Sequence, residues 1–386
     1  MQIARLRIAF GYIDDNIYPA IERTISGGYK YKMTTKCWEP PVEEAEKIVQ
    51  KLAKGVELAL NPPEVRVGVT PHDVVFTENK LRLLHYHPVT EKTHRVPLIM
   101  IFALINRPYI LDLKPGKSVV EVLLKKGIDV YMIDWGIPGD EDKNLNLDHY
   151  INRYIKKVVQ RVKTISGSDR ISLMGYCMGG TMSAMYTALY PQDVKNLILM
   201  TAGIDFKVDG MLNLWGDKPN FDVDKFVEAH GNVPAEFLQA GFLLMKPVQN
   251  LISKYVSFYE NIENEDFVEN FLAMEKWIND NIPVPGEVFR EFIKYGYQEN
   301  LLVQNKLRIN GRVVDLKNIR CSVLNLIAEQ DHLVPPASSM VFNDLISSKD
   351  KDTIVYPTGH IGLSVSSKAL RDLWPKVADW LISRSK

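Results

Sequence analysis

The segment Gly175-Tyr176-Cys177-Met178-Gly179, followed by Gly180 and Thr181, ends an apolar β-like run and opens a helical stretch. Gly-x-nucleophile-x-Gly at a strand-to-helix corner is the arrangement that lifts a reactive side chain above a sheet, with serine replaced here by cysteine. So tight a turn leaves its middle residue strained, and side chains at the flanking positions would collide, so glycines are required there. The amides and dipole of the following helix favour a thiolate at Cys177 and place the Met178 N–H where an oxyanion would form. A free cysteine is more often a buried apolar filler. Its position between an apolar strand and a helix makes Cys177 the expected nucleophile.

Such a nucleophile needs an acid and then a histidine, in that chain order. Of eight histidines, only His332 and His360 lie in the last α/β portion. His360 sits in Pro357-Thr358-Gly359-His360-Ile361-Gly362, a glycine-flanked loop after the run Thr353–Pro357, and is the expected base. Asp331 follows the run Ser322–Ala328 and is the expected acid. Asp205, also after an apolar run, is the competing acid; Glu329 and His332 read as structural neighbours. His72, His85, His87, His94, His149 and His230 have no catalytic context, and Cys37 and Cys321 lack an elbow. A second oxyanion donor is expected after the run Pro97–Ile105, at the N–H of Ile105 or Asn106, with Arg107 beside it. HExxH, CxxC, Walker A and GxGxxG patterns are absent, so neither a metal nor a bound cofactor is expected.

These residues need a scaffold that brings three loops to one edge. From residue 66 the chain alternates apolar runs (97–105, 128–135, 170–176, 196–202) with helical stretches (117–126, 147–162, 181–190). Alternation of this kind predicts a mostly parallel sheet covered by helices on both faces, with ligands at the carboxyl ends of its strands. It stops over residues 206–316, which are aromatic and helical, and resumes at 317–386. The expectation is an α/β-hydrolase fold, with core parts at 66–205 and 317–386 and a cap inserted at 206–316. Ahead of it, residues 1–65 hold a helix from Pro41 to Leu60, stopped by Asn61-Pro62-Pro63, after forty residues without clear periodicity.

Forty-seven basic residues balance forty-seven acidic ones, which argues against an electrostatic nucleic-acid binder. Three scattered cysteines are no disulfide framework and suit a reducing, cytoplasmic setting. Asp14 and Asp15 interrupt any leader-like core, and the longest apolar run is about half of a membrane-spanning length.

With these segments in view, the chain resembles the polyhydroxyalkanoate synthases, polyester synthases with a lipase-like box and a cysteine nucleophile. GYCMGGT, ALINRPYILDL, VYMIDWG, EQDHLVPP and PTGHIGL carry the likeness, which runs from about Val67 to the C-terminus and includes the cap segments GNVPAEFLQAGFLLMKP and MEKWI. The wording around EQDHLVPP and GHIGLSVSSKA leans to the class III type, with class IV as the other choice. The resemblance implies polymerisation of (R)-3-hydroxyacyl-coenzyme A, with 3-hydroxybutyryl-coenzyme A the expected monomer, through a thioester on Cys177. It further implies a non-catalytic partner subunit, a homodimer of catalytic subunits and residence at polyester granules. Asp331 would orient His360 or help activate the substrate hydroxyl. The rival enzyme on the same fold is a thioesterase, esterase or polyester depolymerase, in which water takes the acyl group. A scaffold protein that retains the fold without turnover is the third reading.

Overall fold

The computed structural model describes residues 42–385; Cys37, Asp14 and Asp15 lie outside them. The chain divides into two units, the first ending at Leu60 and the second beginning at Asn61. Helix α1, Val42–Leu60, belongs to the first and ends at Asn61-Pro62-Pro63 as the sequence predicts.

The second unit is built on an eight-stranded sheet. Its strands are β1 (His72–Glu78), β2 (Leu81–Tyr86), β3 (Leu98–Ile101), β4 (Val130–Asp134), β5 (Ile171–Tyr176), β6 (Val194–Met200), β7 (Ser322–Ala328) and β8 (Lys351–Tyr356). They lie in the order β1-β2-β4-β3-β5-β6-β7-β8. β1 and β4 pair antiparallel to β2, and every later pair is parallel. Leu98, Ile99, Met100 and Ile101 of β3 are completely buried, as expected for a central parallel strand covered on both faces. Each such side chain contributes about 1.5–3 kcal/mol of transfer free energy.

The hairpin β1–β2 was not legible in the sequence. β1 is an edge strand carrying His72, Asp73 and Glu78, so it shows no continuous apolar run, and its turn is marked only by Asn79 at φ 54°. β3 also stops four residues short of the expected Ile105. The Phe102 carbonyl, the next acceptor along the chain, is taken by Trp135 Nε1 at 3.0 Å, and the backbone turns away at Leu104 and Ile105.

Helices α2 (Val119–Lys125), α3 (Lys156–Ser166) and α4 (Met178–Leu189) pack on this sheet, and the helix Trp374–Ser383 packs against α2 and bonds Asp352 of β8 through Trp380 Nε1. The helical turn His149–Ile155 leading into α3 is π-type, and Gly167 ends α3 in the left-handed conformation at φ 66°. Every residue of α4 is buried, which explains why its sequence shows no polar face.

Between β6 and β7 the chain is helical: α5 (Val223–His230), α6 (Ala235–Met245), α7 (Lys254–Glu260), α8 (Glu265–Asn279) and α9 (Gly286–Glu291). Phe206, Trp215, Phe221, Phe289, Phe292 and Tyr297 stack edge-on within it and against the core. This helical insertion, hereafter the cap, forms one compact unit with the sheet.

Candidate active site

Cys177 occupies the corner between β5 and α4 with φ 55°, a conformation that costs a non-glycine residue on the order of 1–3 kcal/mol. Backbone bonds hold it there. Its N–H donates to Met200 O at 2.9 Å, while Gly180 N and Thr181 N donate to its carbonyl at 2.8 and 3.2 Å. Both flanking glycines are obligatory. A Cβ on Gly175 would lie 2.5 Å from Gly179 O and Gly180 Cα, and one on Gly179 would collide with the carbonyl oxygens of Ile101 and Phe102. Gly179→Ala is therefore expected to destabilise the chain by about 3 kcal/mol through overpacking. A Cβ on Gly241, inside α6, meets nothing within 4 Å, so Gly241→Ala should leave the urea midpoint unchanged or raise it. Equal midpoints for the two variants would refute the packing account of the elbow.

The structure brings the expected base and acid to this corner. His360, after β8, is 8% exposed and its Nδ1 lies 2.6 Å from Asp331 Oδ2. Asp331, after β7, is 5% exposed and its other oxygen accepts the amides of Leu333 and Val334 at 2.9 and 3.0 Å. Those two amides fix which carboxylate oxygen faces the imidazole. With Nδ1 engaged, the remaining ring nitrogen is the one available to Cys177, which lines the same cavity as His360. Burial disfavours the imidazolium, but the Asp331 carboxylate and then the Cys177 sulfur outweigh it, and the His360 pKa is raised from 6.5 to about 10.

One contact was not foreseen. Tyr176, the residue before Cys177, is completely buried, and its hydroxyl donates to the His360 carbonyl at 2.9 Å. The sequence shows a tyrosine in a strand; nothing in it reveals where the hydroxyl ends. The bond ties the histidine loop to the elbow, so Tyr176→Phe should lower kcat about tenfold with KM unchanged, as expected when a net 1–1.5 kcal/mol hydrogen bond is lost. An unchanged kcat would remove Tyr176 from the positioning of His360.

The other candidates lie elsewhere. Asp205 Oδ1 accepts from Asn300 Nδ2 at 2.8 Å and from Lys207 N at 3.0 Å, and the carboxylate bonded to His360 is that of Asp331. Glu329 and His332 are exposed. His72 bonds Thr70 O, His85 bonds Asp129, His87 bonds Asp73, His149 bonds Asn146, and His230 stacks on Phe226. Burial pushes the Cys321 thiol up to about 12, which suits an inert packing residue. Among the described residues no group of three metal-ligating side chains occurs.

Cys177, Met178 and His360 open onto a cavity of about 310 Å³ between core and cap. Its walls are chiefly apolar, with Phe102, Phe206, Trp215, Phe242, Trp277 and Phe292 prominent. Ile105 and Asn106 line it, as does Ala103, which the early end of β3 brings into the same turn. Met178 is the first residue of α4, and the first N–H groups of a helix have no acceptor within it.

Comparison with known proteins decides the lineage. An alpha/beta hydrolase fold model matches residues 108–366, and a model of the poly-beta-hydroxybutyrate polymerase (PhaC) N-terminus matches residues 63–123. A Haloferax mediterranei protein named poly(3-hydroxyalkanoate) polymerase subunit PhaC is 51% identical over 345 residues, 89% of this chain and 70% of its own length. The chain belongs to the poly(3-hydroxyalkanoate) polymerase family. The Allochromatium vinosum PhaC subunit, 42% identical over 338 residues, is matched over 95% of its length. Among solved structures, a putative lipase from Sulfolobus solfataricus aligns with TM-score 0.53 at 17% identity, covering 83% of this chain and 99% of its own, a likeness of fold alone. Among the described residues of this polymerase-family chain, no helix is long and apolar enough to cross a membrane.

Proposed function

We propose that this chain is a poly(3-hydroxyalkanoate) polymerase that extends a polyester through a thioester on Cys177, taking (R)-3-hydroxybutyryl-coenzyme A as monomer. The carrying observation is a cysteine at a strained strand-to-helix corner that shares the wall of an apolar cavity with a buried, hydrogen-bonded His–Asp pair, in a chain 51% identical to a protein named for this activity. The Cys177 thiolate attacks the acyl carbonyl, and the C–S bond to coenzyme A breaks. The departing coenzyme A thiolate takes the proton held by His360. Neutral His360 then accepts the proton of the 3-hydroxyl on a second acyl group as that oxygen attacks the Cys177 thioester. An ester forms, the thiolate and imidazolium return, and the proton count closes. Asp331 holds the Nδ1–H and stabilises the imidazolium. The Met178 N–H and an amide of the Ala103–Asn106 segment, with Ile105 our assignment, receive the carbonyl oxygen.

Exchange between thioesters is nearly balanced, so the acyl group stays reactive toward an alcohol. The apolar cavity disfavours water, which would otherwise release a free acid. The names of the haloarchaeal and Allochromatium relatives call them subunits. We extend this to the class III type, with a non-catalytic partner subunit, a homodimer of this chain, and work at the surface of polyester granules.

The test supplies purified chain, with and without a co-expressed partner subunit, with (R)-3-hydroxybutyryl-coenzyme A and follows both coenzyme A and acyl product. Coenzyme A release matched by ester-linked polymer is expected. Coenzyme A release matched by free 3-hydroxybutyrate would replace the polymerase with a thioesterase.

A further inference from the structure

The turn carrying the second oxyanion amide is held from the cap as well as from the sheet. Two consecutive residues at the end of that turn, Asn106 and Arg107, and one just beyond it, Tyr109, are involved. Asn106 Nδ2 donates to Asn281 Oδ1 at 2.7 Å, Trp277 Nε1 donates to Arg107 O at 2.9 Å, and Tyr109 Oη donates to Asp280 Oδ2 at 2.9 Å. Trp277, Asp280 and Asn281 all stand at the C-terminal end of α8. The bonds continue on both sides: Asn281 Nδ2 donates to Ile278 O at 2.8 Å, and Asn106 Oδ1 accepts the Arg107 amide at 2.6 Å. The Asn106 side chain thus spends both ends of its amide in fixing its own loop. On the sheet side the restraint is sparser: Phe102 O takes the Trp135 indole N–H, and the Arg107 guanidinium lies 3.7 Å from Asp134.

We infer that the end of helix α8 positions the oxyanion loop, so that the half of the site that binds the acyl carbonyl is complete only with the cap seated. This rests on the reading of the 103–106 turn as the source of an oxyanion donor. Among the described residues, the hydrogen bonds that hold the nucleophile half, Cys177 with His360 and Asp331, come from the sheet and its loops and none from α8, which reaches this half only by ring packing, Trp277 on Phe102 and Phe102 on Tyr176. The two halves therefore have separable supports. Cap seating then acts on acyl transfer and leaves the intrinsic reactivity of the sulfur alone. A polymerase gains from this: Cys177 would be acylated only when the cap that excludes water is in place.

The separation gives the test. Alkylation of Cys177 by iodoacetamide is a displacement at carbon that needs no oxyanion hole, whereas acylation by 4-nitrophenyl acetate does. Tyr109 and Asp280 do not line the cavity, so altering them leaves its walls intact. Tyr109→Phe and Asp280→Ala are each expected to slow acylation about tenfold or more, given that small misplacement of a reacting group costs up to about 100-fold. Alkylation should stay within about twofold of the parent. Asp280→Asn, which keeps an acceptor oxygen, should restore most of the acylation rate and covers the case in which a truncation fails to fold. The double variant Tyr109→Phe/Asp280→Ala should be no slower than either single one.

Parallel loss of acylation and alkylation would overturn the inference, since the contacts would then be general supports of the fold. Unchanged acylation in both truncations would overturn it equally, as would failure of 4-nitrophenyl acetate to acylate the parent chain. Acylation by the nitrophenyl ester with none by (R)-3-hydroxybutyryl-coenzyme A would instead count against the proposed substrate and leave the clamp standing.

Discussion

Cys177→Ala is expected to abolish chain growth, with coenzyme A release falling by at least about 10⁴-fold, the scale seen when a nucleophile is removed from a catalytic triad. Little of that loss should come from damage to the fold. The replaced sulfur is a small group at a cavity wall, and the strained backbone at φ 55° is held by bonds from Gly180, Thr181 and to Met200 that alanine retains. The melting temperature should accordingly stay close to the parent's. Cys177→Ser separates nucleophilicity from geometry. Serine fits the elbow, but its hydroxyl ionises with far greater difficulty than a thiol and an oxygen ester is a poorer acyl donor to an alcohol. Coenzyme A release by Cys177→Ser should remain about 10³-fold down, a size consistent with losing an activated nucleophile. Release by Cys177→Ala at a tenth of the parent rate, with the protein folded, would mean that another group receives the acyl chain.

The strand-end positions of Cys177, Asp331 and His360 were more legible in the sequence than the contacts that support them, and the reason is physical. Cys177, Asp331 and His360 sit at strand ends, where a short glycine-rich or acidic segment interrupts an apolar run, and such interruptions are visible one residue at a time. The parallel strands were legible for the same reason: buried on both faces, β3, β4, β5, β6 and β7 read as chiefly apolar runs, with polar residues such as Asn196 and Asn325 buried among them. β1 did not, because an edge strand carries charge. Asp205 competed with Asp331 on position alone, and only the folded geometry, which sets Asp331 and not Asp205 against His360, separates them. The Tyr176 and α8 contacts were invisible on similar grounds. A hydroxyl or indole N–H discloses nothing about its partner when that partner is a backbone carbonyl many residues away.

The charge state of His360 is where sequence and geometry meet most quantitatively, and Asp331→Asn tests it. Leu333 N and Val334 N donate to Asp331 Oδ1, so asparagine keeps its one carbonyl oxygen there and must turn its amide nitrogen toward His360. Two N–H groups cannot face each other, so the imidazole responds by moving its proton to Nε2. In that tautomer Nε2 cannot accept a proton from Cys177 or from an attacking hydroxyl. Acyl transfer should fall by about 10³–10⁴-fold, the cost of holding a triad histidine in the wrong tautomer. The pKa moves in a definite direction. Burial already opposes the imidazolium, and the Asp331 carboxylate is the strongest influence raising it, ahead of Cys177. Removing that carboxylate must therefore lower the midpoint from about 10, and Cys177→Ala must lower it by a smaller amount. Nitrogen-15 NMR of the histidine side chains reads both shifts directly. A parent midpoint near 6.5, or one that Asp331→Asn leaves in place, would show that the buried pair does not hold the proton through neutral pH. The cycle would then have to begin from a neutral thiol and imidazole.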